Sequence, residues 1–574
     1  MGIERVIAVA RGDEPADLVL ENGKVVDVVS GQIRPTGIAI ADGLVAGLGE
    51  GYRGRTVVDL RGRYVCPGFI DAHVHVESSL ARPREFARAV LPHGVTTAVS
   101  NPHEIANVLG IEGIRYMGAD ARSTPLELLF TIPSCVPATS LSTAGARLTL
   151  DDIELLLREP GMAGLGEVMD FAGVVSGDAR VLGEIGRCRG LAIDGHCPGL
   201  SGRDLNAYAA AGMTSEHECT TVEEAREKLE KGMKIFIREG SVARNLNDLL
   251  SLITPFNERW ISFCTDDCRL SDLVEKGSID HLVRMAIARG VAPVTAIRMA
   301  TLNPAEHFRL YDRGVIAPGR RADFTVFSDL EAPRPELAYC RGVLAASDGR
   351  AVPGEPAAVD ESMEKMVRDT VNVDWSGIDL RIPSSGSRIR VIGVIPDQLL
   401  TENILMEPRV ENGCAVADPA RDLLKIAVIE RHRASGRVGK GFVRGIGLIR
   451  GAMAGTVAHD HHNLIVIGAD DRSMMTAARA VADAGGGQAV ADGETVLAML
   501  PLPIAGLMSD QPMEIVLDQA ASLTSVLKRL GSPLYDPFMV MSFLGLEVIP
   551  SLKLTDLGLV DVNLQKVVSL FAAQ

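Results

Sequence analysis

Six residues of ligand type recur along the first half of the chain: His73, His75, Glu167, His196, His217 and Asp266. His73 and His75 stand two apart in Phe69-Ile70-Asp71-Ala72-His73-Val74-His75, an apolar run that reads as a strand. Side chains at i and i+2 of a strand point to one face, so both imidazoles can bind one cation. Two imidazoles on a rigid strand suit zinc, manganese or iron. Glu167 lies between Gly166 and Val168 in a second apolar run, where an unpaired carboxylate would be costly. Each residue alone has a bland reading. An isolated His-x-His is usually incidental, His196 and His217 could be capping or core histidines, and Asp266-Asp267 could cap a helix. Taken together, four imidazoles and two carboxylates suffice for two divalent cations with one carboxylate bridging.

The elements that must position these residues follow from periodicity. Eight apolar runs, at 69–73, 96–100, 127–132, 164–168, 191–196, 214–217, 234–238 and 261–266, read as strands. Helical patterns such as 150–157 and 221–229 separate most of them. Eight β/α repeats over residues 67–311 match a (β/α)8 barrel in number and length, with chemistry expected at the C-terminal ends of the strands. The six ligand-type residues all sit at or near such ends. On either side, residues 1–66 and 312–370 read as short strands. Asn22-Gly23 and Asp42-Gly43 between apolar runs are hairpin signals. The two flanks are expected to pair across the inserted barrel as a small β-sandwich.

The bulk numbers narrow the function class. At 574 residues the chain is too long for one core. A net charge of −16 and 4% aromatic content argue against a nucleic-acid surface. Nine cysteines without a Cys-x-x-Cys fit reduced thiols in the cytoplasm. That spacing also excludes the zinc deaminase motif with its paired cysteines. No basic head with a long apolar core opens the chain, and no apolar stretch of about 20 residues occurs, so neither a signal peptide nor a membrane span is expected.

With these residues placed, the chain resembles the amidohydrolase superfamily and, within it, the adenine deaminases of bacteria and archaea. The motifs that carry the resemblance are Pro67-Gly68-Phe69-Ile70-Asp71-Ala72-His73-Val74-His75-Val76-Glu77-Ser78-Ser79, Asn101-Pro102-His103-Glu104-Ile105-Ala106-Asn107-Val108, Gly166-Glu167-Val168-Met169, Asp194-Gly195-His196-Cys197-Pro198, Glu216-His217-Glu218, Arg238-Glu239-Gly240-Ser241 and Cys264-Thr265-Asp266-Asp267. The Glu-Ser-Ser tail after the second histidine is unusual among relatives. Hydantoinase-like relatives place a carboxylated lysine where Glu167 stands. Residues 385–574, with Ala458-His459-Asp460-His461-His462-Asn463, resemble the extra C-terminal α+β domain of adenine deaminases. The histidines of that segment leave three readings open: a separate metal site, a cover over the active site, or a surface turn.

The resemblance implies hydrolytic deamination of adenine to hypoxanthine in purine salvage. It implies two divalent ions per subunit, manganese or iron with zinc as the alternative, and a homodimer or larger homo-oligomer. His73, His75, Glu167, His196, His217 and Asp266 would hold the ions, and Asp266 would also pass a proton from the attacking water to the leaving ammonia. The acid for the ring nitrogen N1 is left among Glu239, Glu104, His103 and Glu77. Glu77, His103, Arg238 and Ser241 are placed against the base. The rival reading is cleavage of a cyclic or N-acyl amide by the same metal site.

Overall fold

A computed structural model describes residues 2–354, 359–396 and 398–572. Residue 1 and residues 355–358 of the expected flanks, and residues 397 and 573–574 of the expected C-terminal domain, lie outside the described residues.

Eight parallel strands form the central sheet: β1 Phe69–Val74, β2 Val95–Ser100, β3 Glu127–Pro133, β4 Met162–Val168, β5 Ala192–Gly195, β6 Ser215–Glu216, β7 Lys234–Arg238 and β8 Ile261–Cys264. β1 and β2 are buried along their whole length, as a sheet covered on both faces requires. A single parallel bridge between Val74 and Asp266 closes the ring. There Asp266 N donates to His73 O at 3.0 Å and His75 N donates to Asp266 O at 3.4 Å. The strand-like runs read from the sequence match these strands, but three of the ladders stop short. β5, β6 and β8 end at Gly195, Glu216 and Cys264, so His196, His217 and Asp266 sit just past them. Asp266 adopts φ 57°, a left-handed conformation that turns the chain out of the ladder.

The intervening helices start where side chains can satisfy their free N–H groups. Thr149 and Asp152 form a reciprocal capping box ahead of Leu150–Leu156, and Thr221 caps Val222–Glu230.

Both flanks join one branched nine-stranded sheet, with Tyr64–Pro67 antiparallel to Phe324–Phe327. Asp42-Gly43 is the tight turn expected between Ile33–Ala41 and Leu44–Leu48, both residues having positive φ. Asn22-Gly23 is not a turn. It is a bulge within the single strand Ala16–Val26, where pairing moves from Gly54–Asp59 to Tyr64–Pro67. The same left-handed Asn that favours a hairpin also serves a bulge, and the neighbouring strands decide between them.

Beyond the flanks lies a second eight-stranded, mainly antiparallel sheet running from Ile389–Val394 to Thr495–Pro501. Along Leu424–Ile429 the side chains alternate. Ala427 and Ile429 pack with Met474, Ala477, Ala478 and Val481 of the helix Asp471–Asp483, while Ile426 and Val428 join the core cluster that continues into the barrel. Residues 513–529 and 537–543 add two helices on the barrel side. The architecture is thus α/β: a nearly closed barrel, a β layer built from both flanks, and an additional C-terminal α+β region. All nine cysteines are free, eight of them buried. Among the described residues no helix is long and apolar enough to cross a membrane.

Candidate active site

The C-terminal ends of the strands bring all six ligand-type residues together. His73 Nε2 and His75 Nε2 lie 3.0 Å apart, and Asp266 Oδ1 is 3.5 and 3.2 Å from them. Glu167 sits at the centre. Its Oε2 is 3.4 Å from His75 Nε2, and its Oε1 is 3.1 Å from His196 Nδ1 and 3.4 Å from His217 Nε2. Every member is buried. Burial disfavours the Glu167 carboxylate, but His75, His103, His196 and His217 outweigh it and hold its pKa well below the usual range. Asp266 is held down in the same way by His73, His75 and Arg238.

The donor set fits divalent cations. His73, His75 and Asp266 form one group with ligand atoms close enough to share an ion, and Glu167, His196 and His217 form another. His196 Nε2 and both ring nitrogens of His217 are buried and lack hydrogen-bond partners. Orphaned imidazole nitrogens facing carboxylates are what a site built for a cation presents.

Three further residues hold this cluster, and sequence reasoning gave none of them a role. Asp194 Oδ2 is 2.9 Å from His73 Nδ1 and 3.5 Å from His217 Nδ1, so it orients one imidazole from each proposed ion group. Asn101 accepts from His75 Nδ1 through its backbone carbonyl at 3.0 Å and donates its amide to Glu167. Glu218 forms a paired ion bridge with Arg238, whose Nη1 also donates to Asp266 Oδ2 at 2.8 Å. The signal for Asp194 was legible: it lies two residues before His196 in one strand-like run of the sequence, the same spacing that links His73 and His75.

Of the residues placed against a substrate, the structure brings some and not others. His103 Nδ1 is 3.2 Å from Glu167 Oε2. Glu104 and Glu77 are fully buried beside it; the Ser78 hydroxyl lies between Glu104 Oε1 at 3.2 Å and Asp267 Oδ1 at 2.5 Å, and Glu77 accepts from Ile105 N at 3.4 Å. Burial, then the neighbouring Glu77 and Asp267, pushes the Glu104 carboxyl well above its usual value, and burial likewise raises Glu77. Arg238 reaches the cluster but is engaged by Glu218 and Asp266. Ser241 does not come to the site: its hydroxyl donates to Asp272 and accepts from Arg269 N. Glu239 accepts from Leu246 N at 3.2 Å, and none of its hydrogen bonds reaches the six. Both residues follow β7 into a loop that turns away, which spacing within a motif could not reveal.

The segment 458–463 is not a surface turn. It is buried throughout and delivers His459 and Asp460 to the barrel mouth. His459 Nδ1 lies 3.4 Å from Glu104 Oε1, and Asp460 Oδ1 lies 3.4 Å from His103 Nε2. His461 and His462 are occupied locally, accepting from Asn463 N and Ala458 N. Arg431, fully buried, donates to His462 O and Ala505 O and so pins the segment. A cavity of about 770 Å³ opens between the two regions, with Ser78 and Leu80 on the barrel side and His459, Phe538, Met539 and Ser542 opposite.

Comparison with known proteins adds to this geometry. Residues 64–371 match the amidohydrolase family, and residues 398–566 match the adenine deaminase C-terminal domain. An adenine deaminase of Desulfatibacillum aliphaticivorans is 50% identical over 570 residues, 99% of either chain. A protein named adenine deaminase 2 from Carboxydothermus hydrogenoformans is 47% identical over 570 residues, again 99% of both. The adenine deaminase of Kosmotoga olearia is 46% identical over 578 residues, covering 100% of this chain and 99% of its own.

Proposed function

The chain belongs to the adenine deaminase family of the amidohydrolases, and from that premise we propose that it hydrolyses adenine to hypoxanthine and ammonia at the cluster around Glu167. The observation that carries the reading is end-to-end identity with the curated relatives, 50% over 99% of both chains in one case. The geometry supports it, because the donors needed for two ions and a proton shuttle converge at one mouth of the barrel.

His73, His75 and Asp266 would hold one ion and His196 and His217 the other, with Glu167 between them. Divalent ions bound there, manganese or iron with zinc as the alternative, supply hydroxide by lowering the pKa of water to about 7. The chain's own residues do the rest. Asp194 would hold the Nδ1 proton of His73 and set its charge 3.5 Å from His217 Nδ1, leaving the Nε2 atoms of both rings for the ions. Asp266, anchored by Arg238, takes the proton of the attacking water and gives it to the exocyclic nitrogen of the base. Glu104, kept protonated by its surroundings, donates to N1 as water adds to C6. The bond from C6 to the amine then breaks, ammonia leaves and the oxygen stays as the hypoxanthine carbonyl. Nine free thiols support a cytoplasmic setting, and a homodimer or larger homo-oligomer is the assembly put forward.

The test is conversion of adenine by purified, manganese-loaded protein, followed by ultraviolet absorbance and ammonia release. Equimolar hypoxanthine and ammonia are expected. Absence of turnover beside robust hydrolysis of a cyclic or N-acyl amide would sink the proposal.

A further inference from the structure

His459 and Asp460 are the part of the site that deamination chemistry has not used. They come from the C-terminal region, yet they end against His103 and Glu104 of the barrel. Four buried oxygen or nitrogen atoms at this junction make no hydrogen bond: Asp460 Oδ2, His103 Nε2, Glu104 Oε2 and Glu77 Oε2. Leaving such atoms unmatched destabilises the fold, so a junction that collects them is built for a ligand. Of the three carboxyl oxygens among them, Asp460 Oδ2 belongs to the group held as a carboxylate by the facing His103, so at that point the ligand must bring an N–H or O–H donor. The adjoining cavity is walled by His459 and Ser78 and is large enough to pass a flat base.

The arrangement has a direction. Glu167 marks the end where C6 reacts. Asp460 stands one imidazole ring beyond it, because His103 faces Glu167 through Nδ1 at 3.2 Å and Asp460 through Nε2 at 3.4 Å. A purine with its six-membered ring toward Glu167 turns its five-membered ring toward this wall. Glu104 is committed to the six-membered ring, and Ser78 and Asp267 hold it there. Asp460 is free of such ties on one oxygen. His459 is fixed as its neighbour by stacking on Phe543, with centroids 4.7 Å apart and planes 15° from parallel.

Resting on the deamination reading, we infer that Asp460 is the specificity residue that recognises the purine as a free base, its unpartnered oxygen accepting the ring N–H of the five-membered ring. A nucleoside carries carbon in place of that hydrogen. It would leave the carboxylate buried and unpaired, the situation in which sites reject ligands most strongly. The C-terminal region would therefore supply the discrimination between base and nucleoside, while the barrel supplies the chemistry.

The test uses the metal-loaded full-length enzyme and two inert ligands, hypoxanthine and 9-methylhypoxanthine, titrated by calorimetry. Wild type is expected to prefer hypoxanthine by about 10–100-fold, the worth of one hydrogen bond to a charged group. The ratio should fall close to 1 in Asp460→Ala and to an intermediate value in Asp460→Asn. The ratio is taken within each variant, so partial unfolding does not mimic the result, and Asp460→Asn carries the test if the alanine variant fails to fold. An unchanged ratio in the folded variants, or no preference in wild type, overturns the inference. Ammonia release from adenine by wild type is measured separately. Its absence beside an intact binding ratio would remove the deamination reading and leave this one standing.

Discussion

Replacing Asp194 by asparagine probes how the site is held without touching a proposed ion ligand. The carboxylate is buried, accepts from Ser215 Oγ at 2.8 Å, and faces His73 Nδ1 at 2.9 Å and His217 Nδ1 at 3.5 Å. Burial opposes its charge, but His217 and His73 outweigh burial and hold the group well below the ordinary carboxylate range. It is therefore an anion wherever the enzyme works. Asn keeps the shape and removes the charge, so one imidazole loses a charge-assisted acceptor worth about 1.5–3 kcal/mol. Partners that orient ligating histidines typically contribute 10–100-fold in metal affinity, or about 1.4–2.7 kcal/mol, which agrees with that loss. Competition with a chelator of known affinity reads the effect directly. Asp194→Asn should bind manganese about 10–100-fold more weakly and recover part of its activity at saturating metal. Wild-type metal affinity in this variant would refute the positioning role. The linkage has a definite sign as well. A folded-state carboxylate pKa below the unfolded value adds stability above the unfolded pKa of about 3.8, and that stability is lost as pH falls through the folded value. The metal-free variant should accordingly lose less stability than metal-free wild type on acidification.

Three other expectations are checkable. Glu104→Gln should lower kcat by about 10²–10⁴ with the metal content of the chain unchanged, the loss expected for removal of a general acid; steady-state kinetics with metal analysis decides it. Lys553 is fully buried, donates to Leu399 O and Phe543 O, and has its ammonium pushed down to about 7 by burial. A folded value below the unfolded 10.5 means that stability rises with pH between about 7 and 10.5, and Lys553→Met should flatten that slope in thermal melts across the window. Gly68 immediately precedes β1, and a Cβ there would meet Thr96 Oγ1 at 2.1 Å and Cβ at 2.8 Å. Gly68→Ala should cost about 1–3 kcal/mol by overpacking, seen as a lower Tm, and should loosen the His73–His75 pair.

Much of the barrel and its ligands was legible because both obey short rules. Strands buried on two faces read as apolar runs, and residues two apart share a face, so His73 and His75 identified themselves. Glu167, His196, His217 and Asp266 followed from their places at run ends. The same rule reaches Asp194 from His196 and Asp71 from His73; Asp71 accepts from Thr265 N at 3.1 Å and helps close the ring. What the rules could not reach was contact between distant segments. Asp460 meets His103 only because two separate sheets share a core, and nothing local to either residue encodes that encounter. Ser241 and Glu239 follow β7 in a motif full of functional residue types, yet the loop after that strand spends them on Asp272 and Leu246. Asn22-Gly23 illustrates the converse, a strong local signal whose meaning depends on which strands lie alongside.

The central claim is that one two-ion cluster centred on Glu167 performs the deamination. The most direct measurement is metal stoichiometry and adenine turnover on the same preparations of wild type and Glu167→Gln, both titrated from metal-free protein with manganese. Wild-type activity should rise in step with occupancy to a plateau near two ions per chain, and the variant should neither fill both sites nor turn over adenine at a comparable rate. Full turnover in the variant, or full wild-type turnover in protein stripped of metal, would contradict it.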